Sequence, residues 1–160
     1  MIVVCLPSCQ KAQTPNQDYE PVSIQSEWFK VTYLGDRIYC IEEPRSSQGN
    51  VSYLILGDDR AIMFDTGCGE NQVKGDFKIK YLIEKMTDLP VTLIQSHFHF
   101  DHNQNIHEFE HIGFPDLPDL RERVSEDGLF LYTQEDLFEG DYPSDITVDE
   151  WFPLGTDIDL

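Results

Sequence analysis

The chain has 160 residues, 40% of them hydrophobic, which suits one domain with a core of ordinary size. Thirty acids against 11 bases set a net charge of −19, and from Asp101 onward 17 acids face only Arg121 and Arg123 as bases. Such a surface repels phosphate backbones and argues against a nucleic-acid binder, and no apolar stretch in the sequence reaches the length a membrane-spanning helix needs.

In chain order, Met1-Ile2-Val3-Val4-Cys5-Leu6-Pro7-Ser8-Cys9 is apolar and ends in a small residue and a cysteine. This resembles the end of a bacterial lipoprotein signal, with Leu6 to Cys9 as the lipobox and Cys9 as the acylated residue. It lacks the basic start and the full apolar length of such signals. The resemblance implies attachment to a membrane through a lipid on Cys9, at the periplasmic or outer surface. Read instead as a plain disordered terminus, the same residues leave a cytoplasmic protein. Residues 10–27 are polar, carry Pro15 and Pro21 and show no period, so 1–27 reads as signal and tether and 28–160 as the folded domain.

Short strands are expected at residues 29–33, 37–41, 53–56 and 61–64, short runs rich in β-branched, aromatic and other apolar residues. Residues 76–86, with Phe77, Ile79, Leu82 and Met86, predict a helix that Leu89-Pro90 ends. Val91-Thr92-Leu93-Ile94-Gln95 reads as a buried strand, and Ile106 and Phe109 predict a helix over 103–109. Beyond His111 the pattern weakens, with Pro115 and Pro118 as breaks, a helical turn at 120–124, a short strand at 130–132 and a loop at 141–145. Phe114, Phe130, Tyr132, Phe138 and Tyr142 read as core, or as the lining of a cleft.

Between the buried strand and the following helix lies Ser96-His97-Phe98-His99-Phe100-Asp101-His102, which holds four metal-binding side chains within six residues. In an extended segment His97, His99 and Asp101 project to one side, and His102 joins them where the backbone changes direction. Imidazoles grouped with a carboxylate suit zinc or a similar borderline divalent metal. The carboxyl end of a sheet strand is also where open α/β folds place ligands.

The H-x-H-x-D-H run at a strand end resembles the signature of the metallo-β-lactamase superfamily. Upstream, strand 61–64 ends in Asp65-Thr66-Gly67, which is similar to that family's early hairpin. The resemblance implies an α/β fold, the amino-terminal ββα half of a metallo-β-lactamase α/β-β/α sandwich, over residues 28–160. It implies that His97 and His99 bind a first metal and Asp101 and His102 a second, with Asp65 behind them orienting a ligand histidine. Asp101 is then also the catalytic residue, positioning a water whose pKa one or two zinc ions lower to about 7. The implied activity is zinc-dependent hydrolysis of a small-molecule ester, thioester, lactone or amide.

One departure qualifies that resemblance, and two alternative readings stand beside it. The family's later Gly-His-Thr-like segment has no counterpart, so each metal has two protein ligands here where a catalytic zinc usually has three. The expectation is therefore the amino-terminal half of a longer hydrolase, inactive alone. The family's sulfur dioxygenases keep the same run around a single iron, which makes an iron oxidoreductase the alternative. A further alternative is a catalytically silent acidic module that binds a partner through an uncovered sheet face. His107 and His111 read as surface residues, and Cys40 and Cys68 as thiols rather than a disulfide.

Overall fold

The antiparallel half of the fold follows from alternation. On Val51–Leu56, Ser52 and Leu54 are buried while Val51, Tyr53 and Ile55 are partly exposed, so one face packs on the core. The structure, a computed structural model, describes residues 24, 26–69, 78–138 and 146–160. Four strands, β1 (Lys30–Gly35), β2 (Ile38–Glu42), β3 (Val51–Leu56) and β4 (Ala61–Phe64), form an antiparallel meander. The β1–β2 turn places Asp36 and Arg37 at positive φ, as the twist of a tight hairpin demands.

From β4 onward the neighbours are parallel. β5 (Val91–Ile94), β6 (His111–Pro115) and β7 (Glu150–Phe152) extend the sheet to seven strands in sequence order. Parallel strands need crossovers, and these carry the helices. α1 (Ile79–Glu84) lies between β4 and β5, and α2 (Phe100–Asn103) with a 3₁₀ turn (Ile106–Glu108) lies between β5 and β6. α3 (Pro118–Arg121) and α4 (Gln134–Leu137) lie between β6 and β7. The result is the α/β class expected. The core runs from Val31, Ile41 and Leu54 through Met63 and Leu93 to Ile112 and Phe114, with Ile79, Leu82, Ile83 and Ile106 packed over it. The paired residues Cys40, Tyr53 and Phe64 lie on the other face and remain partly exposed.

Several elements differ from the sequence expectation. β6 falls where proline argued for a break, but Pro115 is the last residue of the strand, where a missing N–H removes little from the ladder. The helix expected at 103–109 instead starts at Phe100 and stops at Asn103. Asn105 interrupts it because its side-chain amide donates to Thr66 O (2.7 Å) and its backbone N–H to Thr66 Oγ1 (3.3 Å). Residues 130–132 form no strand; Phe130 makes an isolated bridge to Val124, and Leu129 just before it makes one to Thr147. The expectations for the signal at 1–9, the start of the helix at 76–77 and the loop at 141–145 lie outside the described residues. Among the described residues no helix is long and apolar enough to cross a membrane.

Candidate metal centre

β4 and β5 pair in parallel and end together, with Phe64 opposite Ile94. Asp65 N–H donates to Ile94 O (3.0 Å), carrying the pairing one residue further, and Asp65 then turns the chain with φ of 64°. Aspartate tolerates this left-handed region better than most residues. Its carboxylate, buried beneath the end of β5, accepts three hydrogen bonds. Oδ1 takes Ser96 N–H (2.8 Å), while Oδ2 takes the Ser96 hydroxyl (2.8 Å) and lies 2.9 Å from His102 Nδ1.

The start of α2 is docked onto the same turn. His99 is its extended N-cap, His102 N–H donates to His99 O (3.0 Å), and His102 O accepts from Thr66 N–H (2.7 Å) and Thr66 Oγ1 (3.0 Å). Asp101 and His102 are thus presented from the first helical turn rather than from an extended strand.

These contacts dictate which ring nitrogens are available. A carboxylate can only accept, so neutral His102 carries its proton on Nδ1 and leaves Nε2 open. The Ser96 hydroxyl donates to Asp65 and therefore accepts from His97 Nδ1, 2.9 Å away, which leaves His97 Nε2 open as well. One buried carboxylate sets two tautomers, directly at His102 and through Ser96 at His97.

The open atoms converge. His97, Asp101 and His102 each offer a ligand atom, all within 4.8 Å of one another, and His102 Nε2 lies 3.4 Å from Asp101 Oδ2. The His97 ring is 4.2 Å from that of His102 and 4.5 Å, edge-on, from that of His99. His99 adjoins the trio without being one of the three. Burial, then the neighbouring rings of His102 and His99, push the His97 pKa down and favour its neutral form. The bond to Asp65 raises that of His102. Two imidazoles and a carboxylate, half open to solvent, fit a divalent ion that keeps a free coordination position.

Some participants carried no signal in the sequence reading. Asn103, the last residue of α2, and Asn105, just before the 3₁₀ turn, are fully buried, where asparagine is out of place unless bonded. Asn103 Nδ2 donates to Phe98 O (2.5 Å). Ser96 became meaningful only once Asp65 was brought beside it. Among the aromatics, Phe114 and Phe130 are core, and Phe98, Phe114, Phe130 and Tyr132 stack with centroids 4.7–5.5 Å apart. Phe138 is 73% exposed, with its ring 6.0 Å from that of His99, and Tyr142 lies outside the described residues. His107 and His111 are exposed, Cys40 is half-buried and Cys68 is buried.

A mixed α/β sheet that holds a His/Asp cluster at the end of a central strand defines the class. The metallo-beta-lactamase superfamily matches residues 47–148, more than half the chain, and the chain belongs to that family. Two curated relatives are similar over 95 residues, the acyl-coenzyme A thioesterase MBLAC2 of Homo sapiens at 27% identity and that of Bos taurus at 26%. The matched stretch is 54% of this chain, and it spans about a third (34%) of the length of those relatives. Among solved structures, the native FEZ-1 metallo-beta-lactamase from Legionella gormanii aligns at 18% identity and a TM-score of 0.49, covering 78% of this chain and 46% of that one. A metallo-beta-lactamase from Pontibacter korlensis aligns at 16% identity and 0.47, covering 81% and 54%.

Proposed function

We propose that the chain carries the metal-binding part of a zinc-dependent hydrolase that cleaves a small-molecule ester, a thioester in the first place. The observation that carries this reading is the convergence of His97, Asp101 and His102 over the buried Asp65. These three residues would hold the ion, with His99 beside them for the same ion or a second. Bound there, zinc would supply Lewis acidity and activate water near neutral pH. Asp65 and Ser96 keep the Nδ1 protons of His102 and His97 pointed away from the ion. Asp101, whose carboxylate is half open to solvent, can accept a proton from a water at the mouth of the site.

Thioesters are favoured by the name of the curated relatives and by the exposed Phe138 ring beside His99, an apolar contact for an acyl group. The charge of −19 favours a small molecule over nucleic acid.

A second reading has its own support. Two histidines and one carboxylate are also the donor set of non-haem iron oxygenases, which keeps an iron sulfur dioxygenase in contention. Metal analysis of aerobically purified protein, with thioester hydrolysis assayed before and after a chelator, separates the two. Zinc with chelator-sensitive hydrolysis supports the proposal. Iron with oxygen uptake and no hydrolysis contradicts it.

A further inference from the structure

Glu43 lies just beyond β2, only 2% exposed, although a carboxylate is seldom buried unless donors surround it. Its Oε1 accepts from the Trp28 indole N–H (3.0 Å) and its Oε2 from the backbone N–H of Cys68 (3.1 Å). Cys68 is the last residue of the turn 65–68 that begins with Asp65. On its other side this turn is tied to α2 and the residues after it. His102 O accepts from Thr66, Gln104 N–H donates to Gly67 O (3.2 Å), and Asn105 grips Thr66. The turn is therefore held between two clamps, one made by the motif segment and one by Glu43.

Gly67 shows how closely Glu43 is fitted. It has φ of 79°, and a Cβ there would collide with the Glu43 carboxylate, which occupies the space a side chain would take. Backbone and acid are packed against each other at the point where the chain leaves Asp65.

We infer that Glu43 is a positioning residue for the metal centre, which fixes the 65–68 turn so that Asp65 meets Ser96 and His102 in register. This rests on the proposed metal site, yet its structural content can be read without metal. The Asp65 carboxylate reaches its three partners only while the turn keeps its path. Glu43 and Trp28 carry that path back to the two ends of the first hairpin. Loosening the Cys68 end lets Asp65 drift, and the His102 proton is then no longer confined to Nδ1.

The test compares Glu43→Gln and Glu43→Asp with Ile41→Val, a buried core substitution on the neighbouring β2. Gln keeps the shape but turns one acceptor into a donor facing an N–H. Asp keeps the charge but is too short to reach both partners. Two readouts are taken on the folded protein, the ¹⁵N pattern of His102 in the metal-free state and the dissociation constant for zinc. The expected result is a mixed His102 tautomer and zinc binding weakened about 10–100-fold in both Glu43 variants, with neither change in Ile41→Val at a comparable loss of Tm.

Glu43 variants that lose Tm but keep the Nδ1–H tautomer and wild-type zinc affinity overturn the inference. Should neither fold, Trp28→Phe, which removes one donor and leaves the carboxylate in place, decides it by the same two readouts. A wild-type chain that binds no zinc while its His102 tautomer still responds to Glu43 overturns the proposed function and leaves the positioning role standing.

Discussion

Replacing Asp65 by asparagine isolates the electrostatic part of the site. Asparagine accepts a left-handed backbone as readily as aspartate, so the φ of 64° adds no strain. One carbonyl oxygen can still accept from Ser96 N–H, but an amide NH₂ now stands where Oδ2 was, facing the Ser96 hydroxyl and His102 Nδ1. Two contacts are reversed at once. A hydrogen bond to a charged group contributes about 1.5–3 kcal/mol, so the ceiling for two is about 3–6 kcal/mol. Relaxation lowers this, since the hydroxyl can rotate and His102 can move its proton to Nε2. That move spoils the ligand atom, so the loss falls on metal binding. Zinc affinity is expected to drop about 10–100-fold, or about 1.4–2.8 kcal/mol, while the fold survives. Zinc titration against a competing chelator measures the first, and ¹⁵N spectra of the histidines follow the proton. An asparagine variant with wild-type zinc affinity and His102 still protonated on Nδ1 would show that Asp65 only closes a turn.

Other substitutions probe the remaining claims. His97→Ala and His102→Ala should each abolish stoichiometric zinc binding by equilibrium dialysis, whereas His107→Ala, an exposed ring hydrogen-bonded to Gln104 O, should leave it unchanged. Phe138 has φ of 62° and ψ of −57°, a rare and strained turn conformation, so Phe138→Gly should raise stability by about 1 kcal/mol in thermal melts. The same change should weaken selectivity for long-chain over short-chain thioesters if the ring meets the acyl group. Arg123 donates to Leu131 O and to both Asp136 carboxylate oxygens, with its guanidinium 4.5 Å from the Phe130 ring centroid. Arg123→Lys cannot reproduce that fork and should lose about 1–2 kcal/mol in urea denaturation. Glu108 is buried, and burial raises its pKa although Lys80 N–H donates to it (3.0 Å). A carboxyl raised on folding contributes stability below its unfolded pKa of about 4.3 and loses it as pH rises through the folded value. Glu108→Gln should therefore gain on the wild type between pH 4 and 7 in Tm, and a parallel pH course for the two would contradict the assignment.

The parts of this fold that could be read in advance are those where pattern and chemistry coincide. Strand 51–56 alternates, while 61–64 and 91–94 are short runs of apolar and β-branched residues with almost no exposed position, so their burial follows from composition and period together. The histidine run was legible because so many ligating side chains in six residues have few other uses. β6 was not, because three apolar residues between His111 and Pro115 carry no period, and the strand exists only through pairing with β5 and β7. The helix at Phe100 was displaced from its expected place because Thr66, far away in sequence, binds both His102 O and Asn105. Glu43 gave no signal either. A glutamate after a strand looks solvent-facing until the fold brings Trp28 and Cys68 to its two oxygens.

Whether His97, Asp101 and His102 together hold one divalent ion is decided by anomalous diffraction at the zinc edge from zinc-soaked crystals. A peak is expected about 2.0–2.2 Å from His97 Nε2, His102 Nε2 and an Asp101 oxygen, with His102 Nδ1 still bonded to Asp65. A peak ligated through Nδ1 of either ring, or zinc bound only at residues outside this cluster, would contradict it.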